Sequence, residues 1–257
     1  NCGKLIVATS EDEIAVLDGI RQTAFNNGVK DLQTIDKEQI ARLEPNVFAL
    51  KGLYSPSTGI VDSYSLMKSY ETGAINNGAQ IVYGSEVTGI RKISRGYEIT
   101  TKGNDGNVFP FTSRYVINCA GLTSDKISEM AGMKDASLRI QFCKGEYFRL
   151  NPPKNRLIRR LVYPVPVHNL EGIGIHVTID MSGGVKLGPD VTWLNSNIYD
   201  YTVTAAKQEA FYSSAKKFLP FLEFGDISPE MSGIRPKIQK RGEPVRDFYI
   251  REESERG

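Results

Sequence analysis

YVINCAGLTSDKI, residues 115–127, joins an apolar run to Ala120-Gly121, then a polar turn, then a helix start at Ser124-Asp125. Small residues at the end of a strand let a backbone or a ligand approach closely. A helix N-terminus presents unpaired N–H groups to a phosphate. From these residues alone, a tight strand-to-helix turn that binds nothing reads equally well. The preceding segments sharpen the reading: AQIVYG (79–84), EVTGIRKI (86–93), YEITTKG (97–103) and NVFPFTS (107–113) are short alternating runs parted by Gly, Asn and Asp. They read as a strand, a β-meander and, with YVINCAG, a returning strand.

Working outward, KLIVAT (4–9) is a buried strand, followed by a helix over SEDEIAVLDGIRQTAFNNG (10–28). Ser10 and Glu13 form a capping-box pattern, and Ile14, Leu17, Ile20, Ala24 and Phe25 share a face. Helices are expected over 36–43, 63–78, 124–132 and 204–219. The apolar face of the last is Ala206, Ala210, Phe211, Ala215 and Phe218. The second half is otherwise mostly β: LRIQF, KGEYFRL, RRLVYPVP, GIHVTID, GGVKLGP, ISPEMSGIRPKIQ and DFYIR. In the segment from Ile173 to Asp180, Ile173, Ile175, Val177 and Ile179 alternate with Gly174, His176, Thr178 and Asp180. One face is therefore core, and the other sets a histidine beside a glycine that leaves room over the backbone. The mixture without strict βαβ alternation is α/β in part and α+β in part.

The bulk properties exclude several classes. With 257 residues, 40% hydrophobic and 24% charged, the chain is globular and large enough for one big domain or two modest ones. A net charge of +2 gives no basis for nucleic-acid binding. The basic cluster Lys154–Arg160 reads as a solvated loop or strand edge. Cys2, Cys119 and Cys143 offer neither a disulfide framework nor a metal-ligand spacing, Cys119 reads as a small buried residue, and a reducing cytoplasm fits. No apolar run approaches the roughly 18 residues of a membrane helix. Strand-like segments at both ends lead us to expect part of a longer protein.

Taken in order, GKLIVAT, SPSTGIVD, YVINCAGLTSD, KGEYF, YPVP with GIGIHVTID, LGPD, and GIRPKI with DF make the chain resemble the FAD-dependent oxidoreductases of the D-amino-acid oxidase superfamily. Within it, the chain looks most like the L-2-hydroxyglutarate dehydrogenase/oxidase family. The resemblance runs from residue 3 to residue 248. The family's opening GxGxxG unit has no counterpart here, since Gly172-Ile173-Gly174 lies in a strand pattern, and the family's closing glycine-rich segment is also unmatched. The expectation is thus an incomplete glutathione-reductase-like FAD domain interleaved with a mostly antiparallel substrate domain. Residues 1–57 and 137–232 would form the substrate domain; 58–136 and 233–257 would belong to the FAD domain. Such a piece is not expected to hold FAD tightly or to turn over alone.

The resemblance implies roles for single residues. Val87 would set its backbone beside the adenine end of FAD, and Ala120 and Gly121 would approach its phosphate–ribose region. Lys144 and Gly145 would lie near the flavin, although for Lys144 an exposed surface lysine is an even alternative. Gly174 would lie under the flavin, and His176 would face its substrate side. Oxidising a 2-hydroxy acid needs a base for the hydroxyl proton while the Cα hydrogen leaves as hydride, and imidazole suits that task. A satisfied structural histidine is the competing reading. Arg235, stiffened by Pro236, is the candidate for gripping a substrate carboxylate, against an ordinary ion pair. Tyr163 could donate its hydroxyl to a carboxylate or simply bond to backbone. Asp180 stands about 13 Å along the strand from His176, too far to orient it, and His168 reads as a surface residue. The implied reaction is L-2-hydroxyglutarate to 2-oxoglutarate, with a quinone or oxygen as acceptor and with peripheral membrane contact compatible. Glycerol-3-phosphate oxidation, amine oxidation and a non-catalytic fragment are the alternatives.

Overall fold

The computed structural model describes residues 1–166, 174–195 and 198–253. His168, Gly172 and Ile173 lie outside the described residues. The elements in chain order are β1 (Lys4–Ala8), α1 (Glu11–Asn26), β2 (Gln33–Asp36), α2 (Lys37–Leu43), β3 (Lys51–Ser55), α3 (Ser63–Asn76), β4 (Ser85–Ile93), β5 (Gly96–Gly103) and β6 (Val108–Ser113). They continue with α4 (Ser124–Met130), β7 (Gln141–Leu150), β8 (Leu161–Pro164), β9 (His176–Ile179), β10 (Val185–Gly188), β11 (Thr192–Trp193), α5 (Gln208–Lys216) and β12 (Ile227–Lys237). The chain divides into two compact units. The first comprises Asn1–Leu66, Lys144–Thr192 and Asp200–Gly233; the second comprises Met67–Cys143, Trp193–Tyr199 and Ile234–Gly257.

The first unit is built on a sheet ordered β11-β7-β10-β9-β8-β1-β3-β2, with β12 also pairing β7. β1 runs parallel to β8, whereas β1–β3, β2–β3, β8–β9, β9–β10 and β7–β10 are antiparallel. One cross-strand row sets the register. Leu5 stands opposite Val162, Val162 opposite Val177, Val177 opposite Leu187, and Leu187 opposite Phe148. All five are fully buried. Because side chains alternate along a strand, this row commits its neighbours Tyr163, His176 and Gly188 to the opposite face. Under the row lie Phe211, Ala215, Phe218 and Leu219, from α5 and the turn that follows it, with the Phe211 ring tilted 39° against Phe148 at 4.6 Å between ring centres. Ala206 and Ala210, assigned to that apolar face, are exposed. The helical turn containing Ala206 is a separate 3₁₀ segment, Ala205–Lys207, which shifts the angular phase of the face.

Leu17 of α1 packs with Ala8, Leu53 and Val165 in a smaller cluster, joined by Ile14 and Ile20. The capping box at Ser10 does not form. Glu13 instead accepts hydrogen bonds from the Thr9 backbone and hydroxyl, at 2.6 and 3.0 Å, and Phe25 at the helix end is exposed. α2 is capped by Asp36 and Gln39 in a reciprocal pair.

The second unit carries the meander β4-β5-β6, with α4 packed on β4. Two expected strands are absent there. Residues 79–84 and 115–120 hold no strand, and Ile117 is 87% exposed. An extended run becomes a strand only by exchanging hydrogen bonds with a neighbour, and no described residue pairs with either run. The same reason leaves Cys119 exposed rather than buried and DFYIR without strand pairing. The basic cluster is also only partly solvated. Lys154 meets Asp226 at 2.6 Å, and Arg160 reaches the fully buried Glu44 at 3.5 Å. No helix among the described residues is long and apolar enough to cross a membrane.

Phe211→Ala removes the ring that supports the central row. We expect a loss of about 3–5 kcal/mol of stability, read as a lower urea midpoint without a change in slope.

Candidate active site

The face opposite the main core carries the candidate residues Tyr163 and His176 of the first unit. His176 opens β9 and is only 5% exposed, with its ring stacked on Tyr163 at 3.9 Å between centres and 28° between planes. Its Nδ1 lies 2.9 Å from the Gly174 carbonyl oxygen. A carbonyl only accepts, so Nδ1 carries the proton and the basic nitrogen of the neutral ring is Nε2. Burial, and then the nearby Tyr147, push the Tyr163 phenol above its usual range, which keeps its hydroxyl protonated and able to donate. Lys4 holds its ammonium 5.3 Å from the Tyr163 ring centre, an arrangement of cation over aromatic face.

Gly174 corrects one expectation. It does not share a strand face with His176, because β9 begins at His176 and Gly174 sits before it at φ +80°. That conformation is open to glycine and strained for other residues, and it turns the Gly174 carbonyl back onto the imidazole. The core half of the alternation stands, with Ile175, Val177 and Ile179 all packed in the main cluster. The glycine that does lie beside His176 in the sheet is Gly188, its partner on β10. A Cβ at Gly188 would come 2.7 Å from the Glu146 carbonyl oxygen and 3.0 Å from the Tyr147 ring, and φ there is +132°.

Lys144 also departs from expectation. Lys144 and Glu146 lie four and two residues before Phe148 and share its side of the sheet, so they point away from His176; Gly145, itself buried, alternates with them. Lys144 is 2% exposed and meets Asp200 at 2.8 Å and Glu146 at 3.1 Å. Lys207 contacts Glu146 Oε2, and binds Asp190 at 2.6 Å and Thr192 at 2.7 Å. Thr204 gives Glu146 two more hydrogen bonds, at 3.1 and 2.9 Å. Lys144 is thus half of a buried ionic lattice that ties residues 200–207 to β7, neither a surface lysine nor a group on the imidazole face. Burial works against ionisation of Glu146, but Lys207, Lys144 and Thr204 outweigh it and hold the carboxyl below its usual range. Asp200 is lowered strongly, first by Lys144 and then by Thr202.

In the second unit, Val87 lies at an irregularity of β4, where the register with β5 shifts between Val87 and Gly89. Ala120 and Gly121 are exposed, and Gly121 takes φ +56° with open space where a side chain would stand. The turn is braced by Asn118, which donates to the Ser124 carbonyl at 2.8 Å and accepts from the Ala120 N–H at 3.2 Å. α4 follows this turn. It has only seven residues, and Asp125 sits in its first turn with a negative charge. Arg235 is exposed on β12 in this unit, whereas Tyr163 and His176 belong to the first unit. Asp180 does not orient His176. Its Oδ1 accepts from Ser182 N–H at 2.9 Å and Gly184 N–H at 2.8 Å, closing the β9–β10 turn. No group of three or more His, Cys, Asp or Glu side chains among the described residues is arranged to hold a metal.

The family described as FAD dependent oxidoreductase matches residues 1–256. The chain belongs to this family. Among its relatives, an L-2-hydroxyglutarate dehydrogenase, mitochondrial, of Arabidopsis thaliana is 31% identical over 99% of the chain and 60% of its own length. The Escherichia coli K12 L-2-hydroxyglutarate dehydrogenase is 30% identical over 93% of the chain and 52% of its own length. The chain therefore spans between about half and three fifths of these relatives. Among solved structures, a Mycoplasma pneumoniae L-α-glycerophosphate oxidase with FAD bound is similar with a TM-score of 0.79, at 23% identity, over 91% of this chain and 61% of that one. Glycine oxidase of Geobacillus kaustophilus gives 0.72, also at 23% identity, over 99% of this chain and 62% of that one. These structures bear out the fold class, a flavoenzyme architecture with a mostly antiparallel sheet. Lys4, Tyr147 and Gly188 were missed at first. The positive charge that opens KLIVAT and the glycine of LGPD were visible signals, but which face each takes depends on strand pairing.

The lowered carboxyls carry a pH prediction. A group depressed in the folded state contributes stability above its unfolded pKa, near 4 for a carboxylate, and loses it as pH falls through the folded value. The melting temperature should therefore fall as the pH drops below about 4. Glu146→Gln should cost about 3 kcal/mol at neutral pH by removing the buried carboxylate that Lys144 and Lys207 share, and should flatten that acid decline.

Proposed function

We propose that the whole protein oxidises L-2-hydroxyglutarate to 2-oxoglutarate with FAD. The observation that carries this reading is the buried His176, stacked on Tyr163 and fixed by the Gly174 carbonyl with Nε2 as its basic atom. The naming of the relatives as L-2-hydroxyglutarate dehydrogenases supports the substrate. Val87, Ala120 and Gly121 are the second unit's candidates for holding FAD. The open φ +56° position of Gly121 and the irregular edge of β4 fit close approach by a large flat ligand. Gly145 and Gly174 are the candidates in the first unit. Lys144 is withdrawn from that set by its ion pairs.

When bound, FAD supplies a two-electron acceptor for the Cα hydride. His176 takes the hydroxyl proton at Nε2 as the alcohol becomes a ketone, and the bond from Nδ1 to Gly174 fixes the tautomer that makes this possible. Tyr163 holds the imidazole in plane and offers its π-face to the imidazolium that forms. Arg235 is the candidate carboxylate clamp of the second unit. Residues 58–136 and 233–257 are assigned to the FAD domain, and 1–57 with 137–232 to the substrate domain. The three free thiols support a reducing compartment such as the cytoplasm. Quinone or oxygen is the final acceptor, and bilayer contact, where it occurs, is peripheral.

The protein extended to the length of its relatives and purified with FAD tests this reading. Anaerobic L-2-hydroxyglutarate should bleach the flavin absorbance rapidly, and glycerol-3-phosphate should not. His176→Ala should slow the bleaching by about 10²- to 10⁴-fold while leaving the oxidised flavin spectrum in place. Bleaching by glycerol-3-phosphate alone would overturn the substrate assignment.

A further inference from the structure

Lys4 is partly buried on β1, opposite Leu161 of β8 and Ser55 of β3, and its ammonium lies over the Tyr163 ring. Lys144, Lys154 and Lys207 in the same unit each meet a carboxylate within 4.0 Å. Lys4 meets none among the described residues, and its ammonium rests over the Tyr163 ring instead. Its steps to the imidazole are short. The Tyr163 ring centre is 5.3 Å from Lys4 Nζ and 3.9 Å from the His176 ring centre, so the ammonium lies within about 9 Å of the base. A cation held on an aromatic face beside a base suits an anionic group on the substrate that the base deprotonates.

We propose that Lys4 is a specificity-determining residue that binds the distal carboxylate of a dicarboxylate 2-hydroxy acid. This rests on the function proposed above and deepens it. A hydroxyl held at His176 Nε2 and a carboxylate held at Lys4 Nζ, each at about 3 Å, run an extended five-carbon dicarboxylate past the edge of the Tyr163 ring, which stands on β8 between the two. A 2-hydroxy acid of equal length but without the second carboxylate leaves Lys4 uncompensated. The selectivity arises because only a substrate with a second carboxylate supplies an anion to the Lys4 ammonium.

The test uses the full-length, FAD-loaded protein with two substrates, L-2-hydroxyglutarate and its carbon-matched analogue L-2-hydroxyvalerate. Lys4→Met should raise KM for L-2-hydroxyglutarate about 10- to 100-fold, with little change in kcat and none in kcat/KM for L-2-hydroxyvalerate. Lys4→Arg, which keeps the charge, should retain most of the discrimination. If Lys4→Met does not load flavin, Lys4→Gln is read in its place. Equal losses on both substrates, a loss confined to kcat, or unchanged discrimination would each overturn the proposal. Failure of the unsubstituted protein to oxidise L-2-hydroxyglutarate would instead remove the functional reading beneath it.

Discussion

The row Leu5–Val162–Val177–Leu187–Phe148 is the constraint on which the first unit depends. Five fully buried side chains from five different strands meet at matched register, on the side that α5 covers. Slipping any one of these strands by a residue would send an apolar side chain to the far face and a polar one into the core. The penalty applies on both sides of the sheet at once. What stabilises the core therefore also determines that His176, Tyr163 and Gly188 come out together on the opposite face.

The ionic lattice of Lys144, Glu146, Lys207, Asp190 and Asp200 does related work through charge. Its carboxylates and ammonium groups arise from β7, the segment after β10 and the turn before α5, so it ties distant parts of one unit across a single buried carboxylate. Glu146 accepts hydrogen bonds from Thr204 as well as the two cations, which is what makes so buried a charge tolerable. Apolar packing sets the register of the sheet, and this lattice sets the path of the chain that returns to it. Among the described residues, the imidazole face holds no such lattice. There the imidazole stacks on the Tyr163 ring, its Nδ1 meets the Gly174 carbonyl, and the Lys4 ammonium lies over the same ring.

Much of this was legible in the chain. The alternation around Ile175, Val177 and Ile179 identified a core-facing strand, the meander was visible in three runs parted by Gly, Asn and Asp, and α2, α3 and α4 lie within the helices expected over 36–43, 63–78 and 124–132. The errors share one physical origin. Residues 79–84, 115–120 and 247–251 have strand-like composition, yet strands require partners, and composition carries no information about who pairs with whom. The same holds for Lys144. A lysine after a strand boundary reads as exposed or ligand-facing, and only the pairing of β7 with β10 reveals that it shares the side of Phe148 and lies against Glu146 and Asp200.

The sequence by itself determined the family, the class of fold and the presence of a histidine on the non-core side of a strand. Those properties follow from local periodicity and ordered motifs, which the chain carries without reference to its folded partners. The tertiary structure decided that Tyr163 stacks on that histidine, that Gly174 turns its carbonyl onto Nδ1 and thereby leaves Nε2 as the unprotonated nitrogen of the neutral ring, and that Lys4 reaches the Tyr163 ring from a strand more than 150 residues earlier. Each of these is a contact between residues brought side by side by sheet order and register, and register is set by the collective burial of the central row rather than by any one segment.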